Sequence, residues 1–519
     1  MMWFKRALRS AGRRLIRASG EITTGTGGLT ASSLWQWITA PLSGWLSMDG
    51  ELRSKLWYLR REARALALNN SVIRQYLELL RDNVIGPNGI RLQAQVRNND
   101  KSLNKIINDK IETAWAGFWE SPWADGRFSG IAGEQLLIKN LAVDGEVFIR
   151  VVTSPDFQYG IALQMLDPDL IDNNLNQPAG GGGIPTQNEI RLGIEVDNFG
   201  KPLAYWVWDR SPFDVLQGST RNRIRLPAEE IIHIFDPERI GQTRGFTWFN
   251  TVMKDLKNLD GYVEAAIVAA RTAACAVPIF RQTADFDQSE DQSGFNIELS
   301  PGSGFTLPQG LELQNWDPKH PNTNHSEFLK GCLRFTAGGL HVSYASLACD
   351  LSDANYSSMR SGLLIERDGY RTLQRLWIDR FRQPVFARFV WGALLSGGLI
   401  LDSRDRSKFL SVKWVPRGWA WVDPMKDVNA GVIAIENGLD SRTRILAEQG
   451  LDFEEVCDEL AEEKRISDVS GLDFSGAAVT SLDVKKQVEE ELGGPTAPVK
   501  EQKNRLRLAV MNQFHPEGD

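Results

Sequence analysis

The alternation of apolar and polar positions divides the chain into segments of distinct character. From Glu51 to Leu80, Leu52, Leu56, Leu59, Ala63, Leu66, Val72, Tyr76 and Leu79 recur at helical intervals. Asn69, Asn70 and Ser71 interrupt this run, because such side chains compete for backbone hydrogen bonds and favour caps; two helices are predicted. DNVIGPNGIRLQAQV then reads as a turn followed by a strand. Lys105–Trp119 and Gly133–Val143 are helical in pattern, and DGEVFIR opens a run of strands that continues through two strands joined at Asn198-Phe199-Gly200. The longest helix is predicted from about Trp248 to Ala276, closed by Pro278. Residues 279–316 are less regular, polar and then hairpin-like around SPGSGFTLPQGLELQNW.

The most informative stretch is 317–377. Phe328, Leu329, Leu333, Phe335 and Leu340 set a helical face, with Gly338 and Gly339 weakening its end. DLSDANYSS is a polar loop. From Met359 the helical period resumes through Leu363, Glu366, Tyr370, Leu373 and Trp377. A Trp-rich helix and hairpin follow from Pro384 to Trp421, then short helices at Asp427–Asn437 and Ser441–Gln449. Residues 21–48 and those after about Ser467 lack a core pattern, except for a short helical period at Val484–Leu492.

Composition adds limits. The 519 residues suffice for several sub-domains, and 17 Trp suit extensive packing or subunit contact. A net charge of −7 opposes broad gripping of nucleic acid and does not choose between no DNA and DNA that slides past. The arginines at 53, 60, 61, 64 and 74 read as a solvated helix face, with DNA contact as the alternative. The indoles at Trp115, Trp119 and Trp123 read as packing rather than a base-stacking platform. Cys275, Cys332, Cys349 and Cys457 are too far apart for a zinc site. The basic start, MMWFKRALRSAGRRLIRASG, reads as a flexible arm, with a mitochondrial-type presequence as the alternative. No run of eighteen apolar residues occurs, so no membrane span is expected.

Chemistry-bearing motifs are sparse. No Walker A phosphate loop occurs, and GGGG at 180–183 is a flexible loop. Asp167, Asp169 and Asp172 lack the glycine and terminal glutamate of a calcium loop and read as a structural turn. His233, beside Asp236 and Glu238, lies in a short apolar strand and reads as a hydrogen-bonded structural histidine. No Gly-x-Ser-x-Gly elbow occurs, and Ser357-Ser358-Met359-Arg360 carries no Ser-x-x-Lys pattern. No catalytic residue, metal or cofactor is therefore expected, and a hydrolase is the disfavoured alternative.

DPKHPNTN, GLHVSYASLACDLS and NYSSMRSGLLIERDGYRTLQ resemble the signature region of the lambda-type family of tailed-phage portal proteins. Further segments of that pattern run in order through about residues 50–440, including DNVIGPNGIRLQ and IIHIFDPERIGQTRGFTWF. The resemblance implies an α+β subunit that assembles into a ring, normally of twelve. After the basic arm (1–48), which composition alone suggests, it further implies a wing (49–245), a first stem helix (246–277), a clip (278–320) and a second stem helix (321–345). After these come a channel loop (346–358), a wall helix with the rest of the wing (359–425) and a crown (426–466); the tail (467–519) is read as disordered from its composition. Double-stranded DNA would pass through the ring at one capsid vertex of the virion. Implied partners are the terminase large subunit, the major capsid and scaffolding proteins and a head–tail adaptor, met in the host cytoplasm during assembly. A smaller head–tail adaptor ring is the competing structural reading. Within the loop, Asp350, Ser352, Asp353, Asn355 and Tyr356 are the candidates for weak contact with the DNA backbone; a capping turn without DNA contact is the alternative.

Overall fold

The computed structural model describes residues 46–100, 102–180, 188–212, 221–274, 279–282, 311–314, 325–352, 356–402, 406–419 and 424–470. They fall in two compact units, Met1–Val432 and Ile433–Asp519.

The first unit begins with α1 (Met48–Asn69), started by Ser47, whose Oγ accepts from Gly50 N at 3.2 Å. Asp49 and Glu51 sit favourably in its first turn. Its buried stripe is Leu52, Leu56, Leu59, Ala63 and Leu66, the register the sequence predicts. Asn70 ends this helix and caps α2 (Ser71–Leu80), its Oδ1 accepting from Val72 N and Ile73 N at 3.0 and 3.1 Å. One wide π-helical turn, Arg81–Ile85, follows before Gly86 turns the chain at φ +76°. β1 (Arg91–Ala94), α3 (Lys105–Glu120) and α4 (Gly130–Asp144) come next.

α4 ends at Gly145, φ +81°, where a Cβ would lie 2.0 Å from the backbone carbon of Phe246. This crossing admits only glycine. From it runs β2 (Glu146–Thr153), the centre of a three-stranded antiparallel sheet with β3 (Ile161–Leu166) on one side. Four short strands form a separate antiparallel meander in chain order: β4 (Glu189–Arg191), β5 (Ile194–Val196), β6 (Pro202–Trp208) and β7 (Arg223–Pro227). β8 (Ile231–Phe235) then returns to the other edge of β2 and places His233 opposite Phe148. Phe148, Ile171, Ile194, Tyr205, Val207 and Ile231 form one apolar cluster around the two sheets.

The long helix predicted from Trp248 starts later than expected, and its predicted end at Ala276 lies outside the described residues. Residues Trp248–Thr251 form a 3-10 turn, capped by Thr247 Oγ1 to Phe249 N at 3.1 Å, and α5 spans Met253–Ala274. β9 (Ile279–Gln282) pairs antiparallel with β10 (Leu311–Gln314). Of the hairpin expected within 300–316, only 311–314 is described, as β10; the rest lies outside the described residues. α6 (His325–Gly339), α7 (Tyr344–Ala348) and α8 (Tyr356–Trp377) follow. α8 runs through a second π-helical turn, Ile378–Arg382, into α9 (Gln383–Ser396). β11 (Val412–Val415) is not half of a local hairpin; it pairs with β1 in the register Arg91–Val415. α10 (Pro424–Glu436) starts in the first unit and ends in the second, which also holds α11 (Arg442–Glu448) and α12 (Phe453–Ser470).

The tryptophans of α3 pack in the core rather than forming an exposed platform. Trp115 stacks on Trp119 with centroids 4.8 Å apart and meets Phe386, Phe389 and Trp414 edge-on. Arg382 lies over Trp119 at 4.1 Å, and its guanidinium forks onto Glu134 at 2.6 and 2.5 Å. Trp377 Nε1 donates to the same carboxylate at 2.9 Å. Burial pushes the Glu134 carboxyl up, opposed by the Arg382 charge and these hydrogen bonds.

A second buried ion network corrects the reading of Arg60 and Arg64, while Arg53, Arg61 and Arg74 are exposed as expected. Arg60 is 2% exposed, and its two terminal nitrogens hold Glu146 at 2.8 Å and Asp169 at 2.6 Å. Arg64 reaches Asp144, Asp167 and Asp169 at 2.7, 2.9 and 2.6 Å. The aspartates of the LDPDL turn are thus arginine partners, and the turn is structural as expected. Glu146 also accepts from Arg244, from Gly245 N at 3.0 Å and from His233 Nε2 at 3.0 Å. Desolvating such ions costs several kcal/mol each, so the opposite charges on every side are what make the site tolerable; Arg60 Nε alone finds no hydrogen bond and lies 3.8 Å from Asp144. Burial raises the Glu146 carboxyl, but the Arg244 charge and the His233 hydrogen bond outweigh it and hold it well below the usual carboxylate range. His233 is a buried structural histidine, as expected, although its partner is Glu146 rather than Asp236 or Glu238.

Candidate channel loop and its supports

The polar loop grows out of the short helix α7. Its start is fixed by Ser343, whose Oγ accepts from Ser346 N at 3.1 Å. Ahead of it, His341 takes φ +56° and lets the chain reverse from α6. Beyond α7, Cys349 takes the left-handed conformation, φ +53°, and aims the chain toward the loop.

Glu366 supports this turn from below. It lies in the buried register of α8, at 5% exposure, and receives Ser346 Oγ at 2.9 Å, Ser343 N at 3.3 Å and the Tyr370 hydroxyl at 2.6 Å. Burial and the adjoining carboxylate push the Tyr370 phenol up. Gln75 Nε2 donates to Ser346 O at 3.2 Å, which fastens α7 to α2.

The root of the loop is held by Asp350. Its carboxylate accepts from the Ser352 hydroxyl at 2.6 Å and Ser352 N at 3.0 Å. It also accepts from the Tyr344 hydroxyl at 2.7 Å, and Lys330 Nζ on α6 is 3.6 Å away. Ser352, Tyr344 and Lys330 together hold the Asp350 carboxyl well below the usual carboxylate range. Lys330 Nζ further donates to Ser352 Oγ at 3.3 Å.

The five loop candidates therefore divide. Asp350 and Ser352 come together at the loop root, where Lys330 joins both to α6. Tyr356 is the first residue of α8, and Asp353 and Asn355 lie outside the described residues. Sequence reasoning missed the supports, Lys330, Tyr344 and Glu366. The signal for Glu366 was present: a carboxylate at a helical core position demands buried donors. Lys330 and Tyr344 gave no such signal.

A cavity of about 390 Å³ opens beside this root between α6, α7 and α8. Tyr344, Leu351, Met359 and Leu363 line it, with Arg334 and Asp350 as charged members of the wall. The Arg334 guanidinium lies 5.3 Å from the Tyr344 ring centre. Among the described residues no group of three or more His, Cys, Asp or Glu is placed to hold a metal. No helix among them is long and apolar enough to cross a membrane.

Comparison with known proteins matches residues 43–374 to the family described as phage portal protein, lambda family. The probable portal protein of Halomonas phage phiHAP-1 is 33% identical over 418 residues, covering 78% of this chain and 80% of that protein. Portal protein B of Escherichia phage lambda is 24% identical over 484 residues, covering 84% and 89%. Among solved structures, a chain from the neck of a native gene transfer agent particle, computed with twelvefold symmetry, is similar with a TM-score of 0.42 and 14% identity. That match covers 77% of this chain and 94% of the other.

Proposed function

Since the chain belongs to the lambda family of phage portal proteins, we propose that it forms the ring at one capsid vertex through which double-stranded DNA is packaged and ejected. The observation that carries this reading is the extent of the match: 80% of a portal protein's length is covered at 33% identity. Twelve subunits are the number the family implies.

In this reading the chain makes and breaks no bond. Its work is positional: α5 and α6 act as the stem, residues 278–320 as the clip that meets the terminase large subunit and the head–tail adaptor, and 426–466 as the crown. Capsid and scaffolding proteins surround the wing, 49–245. The loop 346–358 faces the channel, and 359–425 supplies the wall and the rest of the wing. With net charge −7 on each chain, most of the wall repels a duplex, which keeps it sliding rather than stuck. Asp350 holds the loop root and leaves DNA contact to the loop beyond Ser352.

Negative-stain electron microscopy of the purified chain, with particle mass from light scattering, tests the reading. Rings with a hole wide enough for a duplex, near twelve times 58.1 kDa, are the expected result. A monomer that stays unassembled across concentration and salt would overturn it.

A further inference from the structure

A closed ring with more than two subunits needs two different surfaces on each chain, one received by the other, because its contacts are heterologous. The layer formed by α6, α7 and α8 offers such a pair. On one side lies the cavity of about 390 Å³, into which α8 turns Met359, Gly362 and Leu363. This volume is within the roughly 300–1,000 Å³ range of pockets that take up a ligand. On the opposite side of α8, at helical spacing, lie Leu364, Ile365 and Asp368. Leu364 and Ile365 are 45% and 75% exposed, and the Asp368 side chain is 73% exposed. Leu364 and Ile365 thus form an adjacent apolar pair exposed on one helix face, one turn from a carboxylate.

Charge matches shape. The cavity wall is apolar at Leu351, Met359 and Leu363 and carries the Arg334 guanidinium; its one carboxylate, Asp350, is already engaged by Lys330, Tyr344 and Ser352. The ridge is apolar at Leu364 and Ile365 and carries the Asp368 carboxylate. Asp368 is joined within its own helix only to exposed Arg371, at 2.8 Å, a surface i,i+3 pair of small worth that can be exchanged for a better one.

We propose that a second copy of this chain fills the cavity: Leu364 and Ile365 of one subunit seat in the α6–α7–α8 cavity of the next, with Asp368 set toward Arg334. This rests on the ring reading above and adds where the subunits meet. It has a mechanical corollary. The cavity shares Tyr344 and Asp350 with the loop root, so each subunit's ridge would lean on its neighbour's loop support and couple loop positions around the ring.

The test is made on the full chain with Cys275, Cys332, Cys349 and Cys457 replaced by Ser. Leu351→Cys and Ile365→Cys are introduced together and the assembled protein is oxidised. A ladder of cross-linked chains is expected, absent from either single variant. In parallel, Asp368→Arg and Arg334→Asp alone should each lower ring yield by about tenfold or more, like charges being juxtaposed, and the double variant should recover it. Rings visible by microscopy that give no ladder and ignore both charge reversals would overturn the interface and leave the portal reading standing. Failure of the unmodified chain to form rings would overturn the ring itself, and this inference with it.

Discussion

Arg382 and Glu134 are 248 residues apart in sequence, yet the guanidinium of one grips the carboxylate of the other through two hydrogen bonds, at 2.6 and 2.5 Å, with both side chains fully buried. The pair joins α4 to the π-helical turn between α8 and α9, and the indole faces of Trp119 and Trp414 close over it.

Removing one member strands a buried charge. Arg382→Met is expected to destabilise the chain by about 3–5 kcal/mol. Arg382→Lys keeps the charge but loses the fork and the flat stacking surface, so it too should be clearly destabilising. The double variant Arg382→Met/Glu134→Leu should lose less than Arg382→Met alone. Urea denaturation of the three proteins measures this order.

The Gly145 crossing gives a contrast between two glycines. Gly145→Ala combines positive φ with a Cβ placed inside the Phe246 backbone, and should abolish soluble expression. Gly200 has φ +83° with open space around it, so Gly200→Ala carries only the left-handed penalty, about 1–2 kcal/mol. Soluble yield and thermal midpoint separate the cases.

His233 makes stability depend on pH. Burial pushes its imidazole below the ordinary 6.5; the Glu146 carboxylate pulls the other way without restoring it, and Arg244 and Arg380 add to the depression. The unfolded chain therefore binds a proton near pH 6.5 that the folded chain refuses. Stability should be full above 6.5 and fall as pH drops below it, by up to about 1.4 kcal/mol per pH unit. The depressed Glu146 carboxyl acts in a lower window, its contribution being lost as pH falls below the ordinary 4.5. His233→Gln should remove the upper slope and keep the lower one, as read by denaturation from pH 7.5 to 4.

Asp350 holds the loop root at the surface. Asp350→Asn should leave global unfolding unchanged while amide exchange at Ser352, whose N–H it receives at 3.0 Å, speeds up. Exchange unaltered at Ser352 would remove Asp350 from this role.

What the sequence made legible is what local periodicity controls. The cap at Asn70, the core stripe of α1 and the Ser441 start of α11 all follow from spacing and side-chain chemistry within one turn. The misread cases share a cause. Arg60 looked solvated because its partners, Glu146 and Asp169, lie 86 and 109 residues away and come into range only when α1 crosses the β2 sheet. The strand Val412–Val415 looked like half of a hairpin because nothing local reveals a partner at Arg91–Ala94.

The pairing of β1 with β11 bears on how the chain is made. Residues 91–94 leave the ribosome more than 300 residues before their partners at 412–415. At roughly 5–20 residues per second, that is a wait on the order of tens of seconds. Throughout it, Trp115 lacks Phe386, Phe389 and Trp414, and the edge of β1 is unsatisfied. A nascent chain with an open strand edge and uncovered tryptophans is prone to aggregate. Synthesis of this subunit therefore sets a long interval in which chaperone capacity, rather than final stability, decides how much of it reaches the folded state.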